Sequence, residues 1–553
     1  MAEVTLNRRK VLGLFGAGTA AALPGCATTE VTGPVRFAHG VASGDPAADG
    51  AVIWTRVSTE ARGDVPVRWH VAATPGGPPV RSGSATARAS ADHTVKVEVG
   101  GLEPGREYLY RFEVPGSPPS PEGRFRTLPV GTADKVVLAA TSCQLYPGGF
   151  YNAYAHLAKA DRLDAVLMLG DYLYEYGPEG YGAEIGRRLG RLPVPPHETV
   201  TLADYRLRHA QVKSDPDMQA AHARAAFICV WDDHEVTNDG WIGGAENHQP
   251  ETEGDWEGRK AAALQAYFEW MPIRDPKPGQ GREAIYRSFE FGDLATLAML
   301  ETRLLARTEQ LEFAGEPGDA DAYARLMEAL VEEERELISA EQRNWLGGVL
   351  SASVRQGKPW QVIGNQVVMA KVAGPDLEEG LGPDRYPAFL AQLPGEFEGR
   401  VRGAQAGYRA GVPFNLDAWD GYPAARERLY DTFRQSGTRP LVLAGDSHAG
   451  WANNLYDRQG RLVGLEAGCT AITSPSYGSL LPGIGRLVEA ANPRSVAYCN
   501  QDAKGYTLLT LTPAEVRAEF VTVSTVLERV FTARVDRSLL GRPGAQFAAW
   551  QKL

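Results

Sequence analysis

Five apolar runs of the sequence each lead into a residue type that can bind a metal ion. These residues are Cys143, Asp171, Asp233, Asn365 and Asp446. A carboxylate after a single strand is more often a helix cap or a turn residue. The repetition matters, because the carboxyl ends of parallel strands meet at one edge of a sheet, where ligands bind. The spacing therefore predicts a metal site at such an edge.

The central stretch is Ala165–Tyr176, with the sequence AVLMLGDYLYEY. A short apolar run that ends at Gly170 indicates a buried strand. Asp171 and Tyr174 follow this break, so a carboxylate and a phenol lie three residues apart just past the strand. We expect Asp171 and Tyr174 to share a metal ion.

A strand–helix–strand unit is predicted around this stretch. Val136–Ala140 reads as a strand that leads to Cys143, and Tyr151–Ala160 reads as a helix with one apolar face. The crossover makes the two strands parallel, so Cys143 and Asp171 should lie at equivalent strand ends. Three further apolar runs lead into the other candidates: Phe227–Trp231 before Asp233, Trp360–Ile363 before Asn365, and Leu441–Ala444 before Asp446.

The length and composition limit the class of protein. The chain has 553 residues, which predicts more than one domain, and 43% of them are hydrophobic. The formal net charge of -11 argues against specific nucleic-acid binding, which needs a basic surface. Short β-branched and aromatic runs between Arg36 and Arg126 predict an antiparallel β-sandwich domain over residues 31–127. The catalytic domain is predicted over residues 128–553.

Residues 1–30 have the layout of a twin-arginine export signal. Arg8 and Arg9 precede Val11–Leu23, an apolar stretch that is too short to cross a membrane. We therefore expect export to the periplasm or to the cell surface. Cys26 ends a segment similar to a lipoprotein cleavage box, so lipidation of Cys26 would anchor the protein to the membrane. Cleavage near Ala27 without lipidation is the alternative.

The cysteines indicate no disulfide scaffold. Only five are present, and Cys229 lies within a probable buried strand. Cys469 and Cys499 can pair in an oxidising compartment, and the sequence does not decide this point. Cys143 differs from the others because it follows a strand beside other candidate ligands.

These motifs resemble those of the calcineurin-like metallophosphoesterases, and within them the PhoD-type alkaline phosphatases. The matching segments are TSC at Thr141–Cys143, GDYLYEY at Gly170–Tyr176, WDDHE at Trp231–Glu235, GDSH at Gly445–His448, HGVASGDP at His39–Pro46 and VIWTRV at Val52–Val57. The resemblance covers most of the chain after the export signal. It implies an α/β (α+β) core of two packed mixed sheets flanked by helices, with the β-sandwich at the N-terminus.

The resemblance also implies two metal positions that share Asp171. The first, for Fe³⁺, takes Cys143 and Tyr174, whose anionic forms suit a ferric ion, and either Asp446 or His448 completes it. The second takes Asp233, Asn365 and Asp446, whose oxygens suit Ca²⁺. Asn365 also fits a simple turn residue.

The implied reaction is hydrolysis of phosphate monoesters and diesters by a metal-activated hydroxide. His234 is the candidate that contacts the phosphoryl group and protonates the leaving oxygen. Arg303 is the candidate that stabilises transition-state charge, although Glu301 stands where the branch has an aspartate. The alternatives are a phospholipase D-like phosphodiesterase and a surface metal-binding protein without turnover. No protein partner is predicted.

Overall fold

The structure is a computed structural model that describes residues 35–313, 318–393 and 395–553. The predicted export signal, with Arg8, Arg9 and the lipidation candidate Cys26, lies outside the described residues. Within the described ranges, no helix is both long enough and apolar enough to cross a membrane.

The strands and α-helices of these ranges are numbered in chain order. The strands are β1 (Val41–Ala47), β2 (Gly50–Arg56), β3 (Val65–Ala72), β4 (Pro79–Ala87), β5 (Thr94–Val99), β6 (Glu107–Glu113), β7 (Gly123–Arg126), β8 (Val136–Thr141), β9 (Ala165–Met168), β10 (Phe227–Cys229), β11 (Gly240–Trp241), β12 (Gly244–Ala245), β13 (Arg287–Phe291), β14 (Ala295–Met299), β15 (Trp360–Gly364), β16 (Leu441–Ala444), β17 (Gly450–Tyr456), β18 (Leu462–Gly468), β19 (Val496–Asn500), β20 (Lys504–Leu511), β21 (Val516–Val523), β22 (Ala533–Gly541) and β23 (Gln551–Lys552). The helices are α1 (Asn152–Leu157), α2 (Ala183–Leu189), α3 (Leu202–Lys213), α4 (Pro216–Arg224), α5 (Pro250–Glu253), α6 (Trp256–Trp270), α7 (Ala320–Leu330), α8 (Ala340–Arg355), α9 (Leu377–Leu381), α10 (Arg385–Leu390), α11 (Gly395–Arg409), α12 (Pro423–Gln435) and α13 (Ile484–Ala491).

Two mixed sheets form the centre of the fold. The first has ten strands in the order β23-β22-β21-β20-β8-β9-β10-β1-β2-β5, and the second has seven in the order β13-β14-β15-β16-β18-β17-β19. Strands β8, β9 and β10 are parallel, with α1 between β8 and β9, so the predicted strand–helix–strand unit is confirmed. Strands β14, β15 and β16 are parallel in the second sheet.

The two sheets pack face to face, as the alternation along β15 and β16 shows. Val362 and Leu443 join a buried cluster with Leu167 of the first sheet. Ile363 and Val442 point the other way, into a cluster with residues of α8 and α12. The second sheet therefore lies between the first sheet and these helices. The candidate residues follow strands of both sheets, whereas the sequence analysis placed them at the edge of one.

The N-terminal segment forms two antiparallel layers that differ in their connections. Strands β3, β4, β6 and β7 form a separate four-stranded sheet, whereas β1, β2 and β5 extend the ten-stranded sheet. Buried residues of both layers, such as Ile53 and Phe112, share one apolar cluster. The sequence did not foresee that one layer continues the central sheet. A domain boundary at residue 127 stays a prediction.

The junction between β1 and β10 depends on close backbone contact. Gly44 pairs with Phe227, and a Cβ at Gly44 would lie 2.5 Å from the carbonyl oxygen of Phe227. The next residue, Asp45, is buried and accepts hydrogen bonds from the guanidinium of Arg287 at 2.6 and 3.0 Å. Its other oxygen accepts the backbone N–H of Arg274 at 2.9 Å. Asp45 therefore ties the N-terminal strands to the rest of the fold.

Lys213, the last residue of α3, is buried behind the strand end that carries Asp171. Its ammonium donates to the hydroxyl of Tyr172 at 3.0 Å and lies 4.6 Å from the ring centroid of Trp54. No carboxylate of the described residues forms an ion pair with it. Burial lowers the pKa of Lys213 from 10.5 to about 7.

Lys213→Met should remove a pH-dependent contribution to stability. Between pH 7.5 and 9.5 the unfolded chain carries a proton on Lys213 that the folded chain lacks, so the free energy of unfolding rises with pH in this window. Between these two pH values, the free energy of unfolding should rise by about 2 kcal/mol more in wild type than in Lys213→Met. Urea denaturation at both pH values measures the difference. The exposed Lys159→Met is the control, and equal slopes for wild type and Lys213→Met would contradict the prediction.

Candidate metal centre

The ends of the ligand-bearing strands turn through residues with positive φ. Cys143, Asp171, Asp446 and His448 have φ angles of 57°, 58°, 56° and 57°. This left-handed conformation is unfavourable for residues with a side chain, and it persists where surrounding contacts hold it. Such residues cluster at functional sites. The turns bring donor atoms from β8, β9 and β16 into one volume between the two sheets.

Gly170 and Glu235 hold the turn that carries Asp171. A Cβ at Gly170 would lie 2.3 Å from the Cβ of Asp232, so glycine is required here. The carboxylate of Glu235 accepts the backbone N–H groups of Asp171 at 3.0 Å, Tyr172 at 2.8 Å and Asp232 at 2.9 Å. Glu235 therefore joins the loops after β9 and β10.

The first group of donors contains Cys143, Asp171 and His448, whose ligand atoms all lie within 4.8 Å of one another. Tyr174 lies beside them. Its hydroxyl donates to Oδ2 of Asp171 at 2.9 Å and lies 3.3 Å from Nε2 of His448. The structure thus brings together four residues that the sequence analysis named for the iron position. Their role as ligands stays a prediction.

The loop that contains Ser474 and Pro475 orients this group. Oγ of Ser474 lies 2.7 Å from the hydroxyl of Tyr174 and donates to the backbone oxygen of Cys143 at 2.8 Å. The carbonyl oxygen of Pro475 lies 2.5 Å from Nδ1 of His448 and accepts the hydroxyl of Tyr181 at 2.6 Å. With the proton on Nδ1, Nε2 of His448 has a lone pair for a cation.

Two further groups of donors lie beside the first; one shares Asp171 with it, and the two share Asp233 with each other. They are Asp171, Asp233 and His234, and Asp232, Asp233 and Asp446, each with ligand atoms within 4.8 Å. One oxygen of each of Asp171, Asp232 and Asp233 is buried without a hydrogen-bond partner in the described structure. A buried carboxylate oxygen without a donor is costly, so these residues fit a bound cation.

The protein groups alone favour the neutral forms of four of the donors: Asp171, Asp446, Cys143 and Tyr174. Burial raises the pKa values of Asp171 and Asp446 well above their usual range, and neighbouring carboxylates add to this. Burial likewise raises the pKa values of the Cys143 thiol and the Tyr174 phenol. A cation among these groups would favour their anionic forms and reverse the shifts.

His234 packs against Tyr174, with ring centroids 4.1 Å apart. Its Nδ1 lies 2.7 Å from Oε2 of Glu175. Burial alone lowers the pKa of His234, but the negative charges of Glu175, Asp233 and Asp171 raise it well above 6.5. A protonated His234 that donates from Nδ1 to Glu175 keeps its Nε2 proton for another acceptor. This arrangement suits the predicted role of a proton donor.

Asn365 is held by protein groups at both ends of its amide. Its Oδ1 accepts the indole N–H of Trp419 at 3.0 Å, and its Nδ2 donates to the carbonyl oxygen of Val367. These bonds are those of a turn residue, which was the alternative role named for it. The predicted bond to Ca²⁺ needs the second lone pair of Oδ1, and it stays a prediction.

Arg303 is completely buried and surrounded by carboxylates, whereas most arginines are exposed to solvent. Its guanidinium pairs with Asp232 and with both oxygens of Asp417, at 2.7 and 2.8 Å. It also lies 3.4 Å from Asp446 and 3.7 Å from Asp233. These contacts give Arg303 a structural role that the sequence did not indicate. Its predicted contact with phosphate stays a prediction.

Glu301 shapes the turn that carries Arg303. Its carboxylate accepts the backbone N–H groups of Arg303 at 2.9 Å, Leu304 at 2.7 Å and Leu305 at 3.0 Å, and the indole N–H of Trp231 at 3.0 Å. Glu301, which stands where the branch has an aspartate, therefore has the structural function of fixing this turn.

The sequence analysis assigned no role to Glu175, Asp232, Asp417 or Ser474, all of which contact the named residues. Glu175 and Asp232 lie inside the motifs GDYLYEY and WDDHE, so their sequence positions could have identified them as residues of the site. Asp417 and Ser474 lie in irregular segments with no recognisable pattern. Their contacts depend on the tertiary fold alone.

A cavity of about 550 Å³ opens beside the donor groups. Asp446 and His448 line it on one side, together with Asp239 and Asp417. A phosphate ester can therefore reach the candidate ligands from this cavity.

Comparison with known proteins defines the class to which this site belongs. The profile of the family described as PhoD-like phosphatase matches residues 138–520, and that of the PhoD-like phosphatase N-terminal domain matches residues 21–129. The chain belongs to the PhoD-like phosphatase family.

One curated relative and one solved structure agree with this assignment. The chain is 35% identical over 514 residues to alkaline phosphatase D of Bacillus subtilis (strain 168), which covers 89% of this chain and 78% of that protein. A solved structure described as "Structure of PhoD" has a TM-score of 0.76 and 32% identity, covering 94% of this chain and 92% of that chain. The resemblance to PhoD-type alkaline phosphatases is confirmed, and phosphate esters are the class of substrate it supports.

Arg303→Met should destabilise the fold because it leaves Asp232 buried without its counter-charge and removes one of the two arginines paired with Asp417. We expect a loss of about 3–5 kcal/mol in the free energy of unfolding of the metal-free protein, measured by urea denaturation. Arg402→Met, which removes an exposed ion pair on α11, should change it by less than about 1 kcal/mol. Unchanged stability with a large loss of kcat would instead show that Arg303 acts on the substrate.

Proposed function

We propose that this protein is a metal-dependent alkaline phosphatase that hydrolyses phosphate monoesters and diesters. The observation that carries the proposal is the set of buried, unpartnered carboxylate oxygens of Asp171, Asp232 and Asp233. They lie beside a thiol, a phenol and two imidazoles in a chain of the PhoD-like phosphatase family. A donor set of this kind needs cations to be ionised, and metal-dependent ester hydrolysis uses such cations.

Fe³⁺ is the proposed metal of the first group, held by Cys143, Asp171, Tyr174 and His448. Thiolate and phenolate are strongly donating anions that suit a ferric ion. The sequence left Asp446 and His448 as alternatives for this position. The grouping of His448 with Cys143 and Asp171, and of Asp446 with Asp232 and Asp233, favours His448.

Ca²⁺ is the proposed metal of the second group, held by Asp233 and Asp446, with Asn365 as a further oxygen donor. Asp171 groups with Cys143 and His448 and also with Asp233, and it is the proposed bridging carboxylate. When bound, the two ions supply positive charge to the phosphoryl oxygens and lower the pKa of a bound water.

His234 is the proposed donor of the proton that the leaving oxygen takes up. Glu175 holds Nδ1 of His234 and favours the protonated ring. The protein group that must move a proton is therefore Nε2 of His234, and Glu175 orients it. General acid catalysis of this kind contributes about 10²–10⁴-fold to a rate.

Export is proposed from the sequence of residues 1–30. The pair Arg8-Arg9 and the apolar stretch that follows support the twin-arginine route, and Cys26 supports a lipid anchor. Fractionation of cells that produce the Arg8→Lys, Arg9→Lys double variant tests the route. Accumulation of this variant outside the cytoplasm at the wild-type level would contradict it.

Tyr174→Phe should abolish the visible absorption band of the purified protein. A phenolate bound to Fe³⁺ gives a ligand-to-metal charge-transfer band, which needs the phenol oxygen of Tyr174. Absorption spectra recorded with metal analysis measure both effects. Tyr176→Phe is the matched control, because Tyr176 packs against His234 and should keep the band. A colourless, iron-free and fully active wild type would refute the ferric assignment.

The activity is tested with a phosphate monoester, a diester and phosphatidylcholine in one preparation. We expect cleavage of the first two at alkaline pH, loss on chelation, and recovery with Fe³⁺ and Ca²⁺. His234→Gln should slow the hydrolysis of alkyl esters about 100-fold. It should slow the hydrolysis of 4-nitrophenyl esters much less, because nitrophenolate leaves without a proton.

Other outcomes of this assay select the alternatives. Cleavage of phosphatidylcholine alone would indicate the phospholipase D-like activity. A protein with its full metal content that cleaves none of the three would be a binding protein without turnover. Equal slowing of both ester types in His234→Gln would leave His234 without a role as proton donor.

A further inference from the structure

The cavity beside the candidate metal centre has a polar side and an apolar wall. The polar side contains Asp446 and His448. Six large apolar residues, called the apolar wall below, also line the cavity: Val368, Phe397, Phe414, Trp451, Tyr477 and Leu480. A phosphoryl group fills only a small part of the 550 Å³, which lies in the range of sites for larger organic ligands. The remaining volume is available to the rest of the ester.

The apolar wall is connected directly to the turn that carries the candidate ligands. The indole N–H of Trp451 donates to Oγ of Ser447 at 2.8 Å, and Ser447 lies between Asp446 and His448. The ring of Phe414 packs against Trp451 at 6.4 Å and against Tyr477 at 5.5 Å between centroids. The wall therefore has a fixed position relative to a bound phosphoryl group.

The outer part of this wall is exposed in spite of its apolar character. Tyr477 is 51% exposed, Leu480 47% and Phe397 37%. Three exposed large apolar residues around one cavity are unusual on a protein surface and indicate a binding site. The part of the ligand that covers them must itself be apolar to gain free energy from the contact.

The charged side chains that line the cavity are acidic, and the arginines that pair with them lie behind its lining. No lysine or arginine is among the described residues that line it, whereas Asp239, Asp417 and Asp420 do line it. Arg303 is buried beneath these residues and is paired with Asp232 and Asp417. The described lining therefore offers no lysine or arginine side chain to the alcohol part of the ester, and an uncharged group fits it.

We propose that the apolar wall is a specificity pocket for the alcohol part of the substrate, which is an uncharged alkyl or aryl group. The inference rests on the proposed phosphatase function and specifies the class of phosphate ester that the enzyme hydrolyses. The phosphoryl group lies toward Asp446 and His448, and the alkyl or aryl group lies against Phe414, Tyr477 and Leu480.

A series of alkyl phosphates from ethyl to octyl tests the pocket. In wild type, kcat/KM should rise by roughly threefold for each buried methylene group until the wall is covered. Leu480→Ser and Tyr477→Ser change exposed residues that the fold tolerates, and each should lower the octyl-to-ethyl ratio of kcat/KM about tenfold. Leu527→Ser is the matched control, because Leu527 is 38% exposed and lies outside the cavity. It should keep the wild-type ratio.

Alkylphosphonates separate this inference from the phosphatase function, because they bind without being hydrolysed. Calorimetry with metal-loaded protein should give a lower Kd for octylphosphonate than for ethylphosphonate, and the gap should narrow in Leu480→Ser but not in Leu527→Ser. Equal Kd values in wild type would overturn the pocket even if esters are hydrolysed. Chain-length-dependent binding without any hydrolysis would support the pocket and overturn the phosphatase function alone.

Discussion

The burial of several carboxylates at one junction is the constraint on which the rest of the structure depends. Asp171, Asp232 and Asp233 are buried, and Asp417 and Asp446 lie half-buried beside them. Like charges in a low-dielectric volume cannot all be ionised without positive charge nearby. Arg303 and Arg307 supply part of that charge from behind, through Asp417 and Asp232. In the proposed metal-dependent phosphatase, cations supply the remainder, which would couple metal binding to folding.

Carboxylates in this region have two different tasks, and hydrogen bonding separates them. The carboxylates of Glu235 and Glu301 each accept hydrogen bonds from three backbone N–H groups and so fix the turns that contain those groups. Those of Asp171 and Asp233 each keep one buried oxygen without a donor. The first kind is satisfied by the protein and builds the scaffold. The second kind keeps an oxygen available to a ligand. The turn that Glu235 fixes positions one such side chain, that of Asp171.

The local elements could be predicted from the sequence, and the long-range contacts could not. Helix α6 begins at Trp256 because Asp255 caps its first turn, which is a local signal, and Asp171 was found because Gly170 ends a clear apolar strand. The division of the strand ends between two sheets has no local signal, since strands buried on both faces look alike in either sheet. The partner of Arg303, Asp417, lies 114 residues further along the chain. Nothing near either residue indicates that pair.

The pairing of β1 with β10 also bears on aggregation. An unpaired strand edge can bind the edge of another chain, and proteins usually cover such edges. Strand β1 covers the edge of β10, directly before the turn that carries Asp233. A chain shortened to residues 128–553 would expose that edge next to its most charged region. The N-terminal strands therefore act as a protective cover for this edge of the ten-stranded sheet.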